Sequence, residues 1–588
     1  MNFDPFVIPF CAGAVVLFAI LLYKYTGWIN KFSIEEKKKI LKGIFSRKII
    51  IATKEVLMES LLHRKIFRVN PLLGYMHSSL AFGWFLLISV GIIEAKIHSN
   101  WAFNMPYEPI FYKFFNHSMV GKEHSAFFNF IMDFILLVIL SGVALAFVKR
   151  FYSKLFGVKK STKLKPFDKF ALISLWCIFP LRFLAESFTS GVYHNGGFLT
   201  GSAGHFFNLF LPVSVLIYPA WWAYSTALCI FFISLPFSRY MHILTEVILI
   251  YFRNFGLKTE KEFTSFSEIE VNSCPRCGIC IDKCQLASVN EINNVQSVYF
   301  LKSIRENEIE NNVAANCLLC GRCQEYCPVG ISTNNIRIAK RNEISSIENS
   351  FEYLNGHEIK NCDVIYFAGC MTHLTPAIKK SMTAILDRAK INYWFMDVAE
   401  TTCCGRPLML AGNIDGAKKL MEYNKKQIKE SKAKLLVTSC PICYKMFKED
   451  YSLDIEVLHH TQYLLQLVNH RILKLHKIDR QLAYHDPCEL GRGSGIYSEP
   501  RALLNKISTL KESADNKEDS LCCGGSIGNT QIKFQQRDAI MLETLKGLTI
   551  NNPDTVITSC PLCKKSFSRK SIIRVADISE VVAEAMDS

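Results

Sequence analysis

The placement of cysteine constrains this chain more than any other feature. Of 22 cysteines in 588 residues, 18 fall into four repeated short-spacing patterns, all of them after residue 270. In a small secreted protein such a count would suggest disulfides. In a large chain with thiols grouped two residues apart, metal-bound thiolates in a reducing compartment fit better. The first apolar run follows MNFDP with no basic segment before it, so no cleavable signal peptide is expected.

The first two patterns are SCPRCGICIDKC, with Cys274, Cys277, Cys280 and Cys284, and NCLLCGRCQEYCPVG, with Cys317, Cys320, Cys323 and Cys327. Both are CxxCxxCxxxC runs, and the second ends in Cys-Pro. This is the signature of bacterial two-cluster ferredoxins, in which the fourth cysteine of each run ligates the other cluster. One [4Fe-4S] cubane is therefore expected on Cys274, Cys277, Cys280 and Cys327, and the other on Cys317, Cys320, Cys323 and Cys284. Three thiolates two residues apart can wrap three corners of a cubane in a tight turn. Structural zinc prefers pairs of CxxC to such triples. Nothing in the segment activates a substrate, so it reads as an electron wire.

The other two patterns form an internal repeat. VTSCPICYKMF (437–447) recurs as ITSCPLCKKSF (557–567), and TTCCGRP (401–407) is echoed by LCCGGS (521–526). Single cysteines precede each pair, Cys370 in YFAGC and Cys488 in YHDPCELGRG. The spacings agree between copies: 32 and 33 residues before the Cys-Cys pair, 35 and 36 after it. Repetition on this scale predicts two similar subdomains. Short apolar runs such as DVIYF, AKLLVTSC, QLAYH and DTVITSC read as buried parallel strands with helical stretches between them. Their cysteines then lie at strand ends, where ligand groups gather in open α/β sheets. The twofold motif resembles the CCG domain of the heterodisulfide reductase catalytic subunit. That resemblance implies a noncubane [4Fe-4S] cluster in each copy, one on Cys370, Cys403, Cys404, Cys440 and Cys443, the other on Cys488, Cys522, Cys523, Cys560 and Cys563. Zinc in one copy is the alternative. His485, Asp486 and Arg492 flank Cys488 and either shape that site or belong to an ordinary hydrogen-bonded turn. Cys362 belongs to no pattern and reads as a small buried residue. Cys11, Cys177 and Cys229 read as packing residues of the apolar half.

The first 250 residues have a different character. The chain is 50% hydrophobic with a mean hydropathy of +0.16, and its apolar residues concentrate there. Five runs, near 6–23, 76–95, 127–148, 170–189 and 213–235, approach or exceed the roughly 20 residues needed to cross a bilayer. The formal net charge of +16 could suggest nucleic acid, but much of the excess lies between the runs. Lys37, Lys38, Lys39, Lys42, Arg47 and Lys48 follow the first, and Lys149, Arg150, Lys165 and Lys169 lie around the loop after the third. The connection 187–212 has no Lys or Arg. The bias places the N-terminus outside and everything after residue 240 in the cytoplasm, in a multi-pass protein of the cytoplasmic (inner) membrane.

His77 opens the second run and His242 follows the fifth, at one depth on one side. They form either a facing pair for heme b or two unrelated interfacial histidines. His124 and His205 are assigned to the outer side as candidates for a second heme, while His98, His117 and His194 read as loop or quinone-edge residues. Arg182 and Glu186, one turn apart within the fourth run, are either a neutralised ion pair or part of a quinone pocket or proton path, and Asp133 is a weaker case of the same kind. Five helices with histidines at these points resemble the nitrate reductase gamma-subunit fold, which implies a b-heme, quinone-reactive anchor.

The expected layout is multidomain. It runs from an all-α transmembrane five-helix bundle (1–252), through a linker and α-helical two-cluster ferredoxin domain (253–360), to two α/β CCG repeats (361–480 and 481–588). The whole resembles fused subunits of the membrane-bound heterodisulfide reductase type and the bacterial electron-transfer-flavoprotein:menaquinone oxidoreductases. The resemblance implies an enzyme exchanging electrons between a cytoplasmic flavoprotein and menaquinone, with no nucleic acid involved. The chain has no G-x-G-x-x-G fingerprint, so any flavin belongs to a partner. Two alternatives stand: a disulfide or heterodisulfide reductase acting on a small thiol, and a non-catalytic electron-transfer anchor of a flavoprotein dehydrogenase.

Overall fold

A computed structural model describes residues 3–99, 101, 105–116, 125–152, 162, 164–308, 311–344, 351, 359–399, 402–525, 527 and 532–587. The chain divides into two compact units. The first comprises Met1–Lys258 and Thr264–Gly278, the second Thr259–Phe263 and Ile279–Ser588. The division falls inside the first cysteine run, so Cys274 and Cys277 belong to one unit and Cys280 and Cys284 to the other.

The first unit is helical. Pro5–Asn30, Pro71–His98, Ala126–Phe151, Pro166–Tyr193 and Val213–Phe237 are long and apolar enough to cross a membrane. Local chemistry sets where several of them start. Asp4 accepts from the Phe6 backbone N–H, and Asn70 caps the second span by accepting from Leu73 N at 3.0 Å, with Pro71 in the first turn. The first span begins in an aromatic cluster in which Phe6 packs against Phe111, Phe114 and Trp221. Between the first and second spans lies a rare π-helix, Val56–Leu61, followed by His63 in the left-handed region (φ 49°).

Two expectations change here. Asp133 is a helix cap. Its carboxylate accepts from Leu199 N, Thr200 N and Thr200 Oγ1 at 2.7–2.9 Å and so satisfies the start of helix Phe198–Phe210. That helix precedes the fifth span and carries His205. Residues 253–272, read as a polar linker, include the end of helix His242–Phe255 and a second helix, Ser265–Asn272, which buries Phe266, Ile269 and Val271. His117 and His124 lie outside the described residues.

The second unit holds the remaining cysteines and two four-stranded parallel sheets. In the first sheet the strands are β1 (Val364–Phe367), β2 (Tyr393–Phe395), β3 (Leu435–Thr438) and β4 (Glu456–His459), in the order β2-β1-β3-β4. The second repeats this with β5 (Gln481–His485), β6 (Thr509–Lys511), β7 (Thr555–Thr558) and β8 (Arg574–Asp577), in the order β6-β5-β7-β8. Tyr366 pairs with Val437 in one and Tyr484 with Ile557 in the other. One apolar core joins the two sheets through Tyr366, Val437, Tyr484 and Ile557.

The second cysteine run lies beside the repeats. Helix Thr333–Ile344 supplies the buried Arg337 and Arg341, whose guanidinium groups bond loop carbonyls. Arg341 reaches Ala314 O, Ala315 O, Cys317 O and Leu410 O. An always-charged fork is well suited to stitching irregular backbone that has no sheet or helix partner.

Candidate metal centres

In the first repeat Cys370 follows β1, Cys440 follows β3, and Cys443 opens helix Pro441–Glu449 one turn on. The Cys403–Cys404 turn ends in Gly405 at φ +87°, a left-handed conformation that suits glycine. Close approach also fixes Gly369, where a Cβ would stand 2.9 Å from Cys443 Sγ. The five thiols form one connected group: Cys370 meets Cys403, Cys403 meets Cys404, Cys404 meets Cys443, and Cys443 meets Cys440.

The second repeat reproduces the arrangement. Cys522 meets Cys488 and Cys523, Cys523 meets Cys563, and Cys563 meets Cys560. Gly524 is at φ +72°, and a Cβ there would lie 2.3 Å from Arg537 O. The Cys-Cys carbonyls are tied down in both copies. Asn424 donates to Cys403 O at 2.9 Å and Tyr451 to Cys404 O at 3.0 Å. Thr544 donates to Cys522 O at 2.7 Å and Ser566 to Cys523 O at 2.6 Å.

The crowding has an electrostatic consequence. Hydrogen bonds from Cys403 and then Cys443 hold the Cys404 thiol down, to about 6. Its neighbours Cys370 and Cys443 are pushed up by the same kind of bond and by burial. Cys523 and its neighbours Cys522 and Cys563 show the same opposition. Five buried thiols that cannot all ionise beside one another form a donor set whose thiolates a cationic centre would stabilise together. The residues therefore fit an iron–sulfur group.

The ferredoxin segment brings together the set Cys284, Cys317, Cys320 and Cys323. Burial and then the neighbouring Cys320, Cys317 and Cys323 push Cys284 up to about 12. Donors already point at these sulfurs: Ser297 Oγ lies 3.0 Å from Cys323 Sγ, and Leu319 N lies 3.4 Å from Cys317 Sγ. Cys320 is in hydrogen-bond contact with Cys522 of the second repeat. A small cleft where the two repeats meet is lined by Leu319, Ile442, Cys488, Cys523, Cys560 and Leu562 among others.

Residues flanking Cys488 take separate roles. Asp486 is a buried pin: Arg501 donates to both its oxygens at 2.7 Å, and Lys517 N donates at 2.8 Å. Burial keeps His485 down despite the nearby Cys523, and its ring stands edge-on to Phe567. Arg492 bonds Cys320 O at 2.9 Å.

Sequence reasoning missed several residues. Asp397 accepts from Ala368 N, Gly369 N and His373 Nε2 and so shapes the loop before Cys370. Tyr366 meets Ser439 at 2.9 Å, and Tyr484 donates to Ser559 at 3.2 Å. The shared TSC triplets and the Tyr four residues before each lone cysteine carried that signal. His459 is fully buried beside the backbone of both Ser439 and Ser559, and burial holds it neutral.

In the first unit, Arg182 Nε donates to Glu186 Oε1 at 2.8 Å, and both side chains are buried. Tyr224 joins them through a hydrogen bond to Arg182. His242 Nδ1 lies 2.6 Å from Arg239 O, a contact that orients the ring. His63, Lys149 and His242 all lie within electrostatic reach of His77, and the His63 and His77 rings stack at 5.5 Å. His63 was not singled out by sequence, because it lies upstream of the apolar run. His98 Nδ1 bonds Glu94 O in the second span's last turns, and His194 caps the fourth span. Cys362 is buried, Cys11 and Cys229 are half-buried, and Cys177 is exposed.

Comparison with known proteins agrees with this chemistry. The cysteine-rich CCG domain model matches residues 364–448 and 482–568, and a 4Fe-4S dicluster domain matches 270–331. The chain is 28% identical to one subunit of the dihydromethanophenazine:CoB–CoM heterodisulfide reductase of Methanosarcina barkeri, over 55% of this chain and 96% of that protein. It is 23% identical to one subunit of the CoM/CoB fumarate reductase of Methanothermobacter marburgensis, over 53% and 72%. It is 22% identical to the EtfAB:quinone oxidoreductase of Syntrophomonas wolfei, over 88% of each chain. The chain is an iron–sulfur oxidoreductase with five candidate membrane helices, related to heterodisulfide reductase and to EtfAB:quinone oxidoreductase.

Proposed function

We propose that this protein passes electrons between a cytoplasmic two-electron flavoprotein, an electron-transfer flavoprotein, and menaquinone in the cytoplasmic membrane. The observation that carries the reading is the contact of Cys320 with Cys522, which joins the dicluster set to the paired cysteine-rich repeats in a chain that also has five apolar helices. The similarity to an EtfAB:quinone oxidoreductase along 88% of both chains supports it, because that match includes the helical half. Bound iron–sulfur clusters and heme b would supply the one-electron carriers that couple a flavin to a quinone.

In this reading Cys370, Cys403, Cys404, Cys440 and Cys443 hold one noncubane cluster, and Cys488, Cys522, Cys523, Cys560 and Cys563 the other. The cubanes take Cys274, Cys277, Cys280 and Cys327, and Cys317, Cys320, Cys323 and Cys284. His77 and His242 are the heme ligands; the bond from His242 Nδ1 to Arg239 O suits an imidazole that ligates through Nε2. Arg182 and Glu186, with Tyr224, are the polar groups of the quinone pocket. The N-terminus lies outside and the cysteine-bearing domains in the cytoplasm.

The test is reduction of a menaquinone analogue by purified protein supplied with reduced electron-transfer flavoprotein. Turnover that depends on the flavoprotein supports the reading, and no turnover with any flavoprotein donor contradicts it. A second reading, reduction of a small-molecule disulfide at the paired repeats, draws on the similarity to heterodisulfide reductase. It predicts that a disulfide reoxidises dithionite-reduced protein.

A further inference from the structure

Arg492 stands where two cysteine sets meet. It lies four residues after Cys488, in the short helix Gly491–Ser494. Its Nε donates to Cys320 O at 2.9 Å, and its Nη1 donates to Ser520 O at 2.7 Å and Glu518 O at 3.0 Å. One guanidinium thus grips the loop of Cys320 and the approach to Cys522. Cys320, Cys488 and Cys522 all lie within its electrostatic reach, and Cys320 touches Cys522. The remaining nitrogen, Nη2, is buried and makes no hydrogen bond. A buried donor left idle is costly, on the order of 1–3 kcal/mol, so it implies an acceptor that the protein alone does not supply. The first repeat has no arginine at the matching position, and its own buried arginine, Arg406, is paired with Glu489 instead. Matching Cys370 to Cys488 places Leu374 opposite Arg492, and Leu374 is 57% exposed.

We propose that Arg492 is a positioning residue that makes the second repeat the point of electron exchange with the dicluster segment. Its fixed positive charge raises the reduction potential of the centres held by the Cys320 and Cys522 sets, and Nη2 donates to a sulfur of one of them. Reduction adds negative charge to a cluster, and a cation in a site that excludes water favours the reduced form. The asymmetry with Leu374 means that the two repeats, equal in cysteines, differ in ease of reduction. The inference rests on the cluster assignments proposed above, and on neither the quinone nor the flavoprotein.

The experiment is an EPR-monitored redox titration of the full-length protein in detergent, comparing wild type with Arg492→Met and Arg492→Lys, with iron and sulfide measured alongside. At a fixed solution potential the Met variant should hold these centres at least tenfold further toward the oxidised form, a drop of about 59 mV for a one-electron couple. The Lys variant should stay within threefold of wild type. Signals of the first repeat should not move in either. Unchanged potentials in a Met variant with full iron overturn the proposal. If the Met variant loses iron, the Lys variant decides alone, and a tenfold shift with iron intact is then the overturning result. A wild-type protein with no second-repeat signal contradicts the cluster assignment itself.

Discussion

Replacing Asp168 should loosen the loop that carries Cys274 and Cys277. Asp168 is fully buried at the start of the fourth span. Its Oδ1 accepts from Arg276 Nη2 at 2.6 Å and Arg239 N at 2.7 Å, and its Oδ2 from Lys165 N at 3.0 Å. Arg276 stands between Cys274 and Cys277, is itself buried, and holds φ +54°, a conformation that needs external support. Arg239 is the residue whose carbonyl bonds His242. Asp168→Ala leaves the Arg276 guanidinium buried without its partner, which costs about 3–5 kcal/mol. It also strands two backbone donors. Asp168→Asn keeps an acceptor but removes the charge, at a cost of about 1.5–3 kcal/mol. Thermal unfolding in detergent should rank wild type above Asn above Ala. Limited proteolysis should open the segment near residue 276 in the Ala variant, and the EPR signal of the cubane proposed for Cys274 and Cys277 should broaden or vanish while the other centres persist. An Ala variant within about 1 kcal/mol of wild type, with its proteolytic pattern and EPR unchanged, would refute the reasoning.

Other expectations follow from buried charge. Arg182→Leu or Glu186→Leu alone should destabilise the first unit by about 3–5 kcal/mol, whereas the double change Arg182→Leu/Glu186→Leu should cost much less than the sum; additive losses in this double-mutant cycle would argue against a coupled pair. Burial raises the Glu246 carboxyl to about 7 from 4.5. The folded unit therefore keeps a proton that the unfolded chain releases between those values, and stability should fall by about 3 kcal/mol as pH rises from 4.5 through 7. Glu246→Gln should flatten that dependence in pH-resolved melting. His77→Ala and His242→Ala should each abolish a b-type absorption band, and a band that survives either change removes that residue as a ligand.

Much of the site could be read from sequence because its chemistry is local. CxxC spacings, the Cys-Cys-Gly turn and the TSC triplets each lie within a few residues, and glycine at a left-handed position leaves a mark that spacing alone preserves. The strands that precede Cys370, Cys440, Cys488 and Cys560 were legible for the same reason, as short apolar runs ending in turns. The edge strands β2 and β6 were not, because the Tyr393–Phe395 and Thr509–Lys511 segments are only three residues long. Long-range bonds were invisible. Asp133 looked like a functional intramembrane acid because nothing local reveals that it caps a helix that starts 65 residues later. Asp397 and Asp168 act on backbone far away in sequence, and so escaped notice. Arg492 was visible only as a neighbour of Cys488. Its reach to Cys320 depends on how the dicluster segment folds against the second repeat.

The most direct test of the account is the iron, acid-labile sulfide and zinc content of anaerobically purified protein, measured with EPR of its reduced and oxidised states. Eighteen cysteines in four sets predict about sixteen cluster irons per chain, no stoichiometric zinc, and signals of two kinds, cubane and noncubane. About eight irons with cubane signals alone, or zinc in either repeat, would contradict the claim that both cysteine-rich repeats are redox centres.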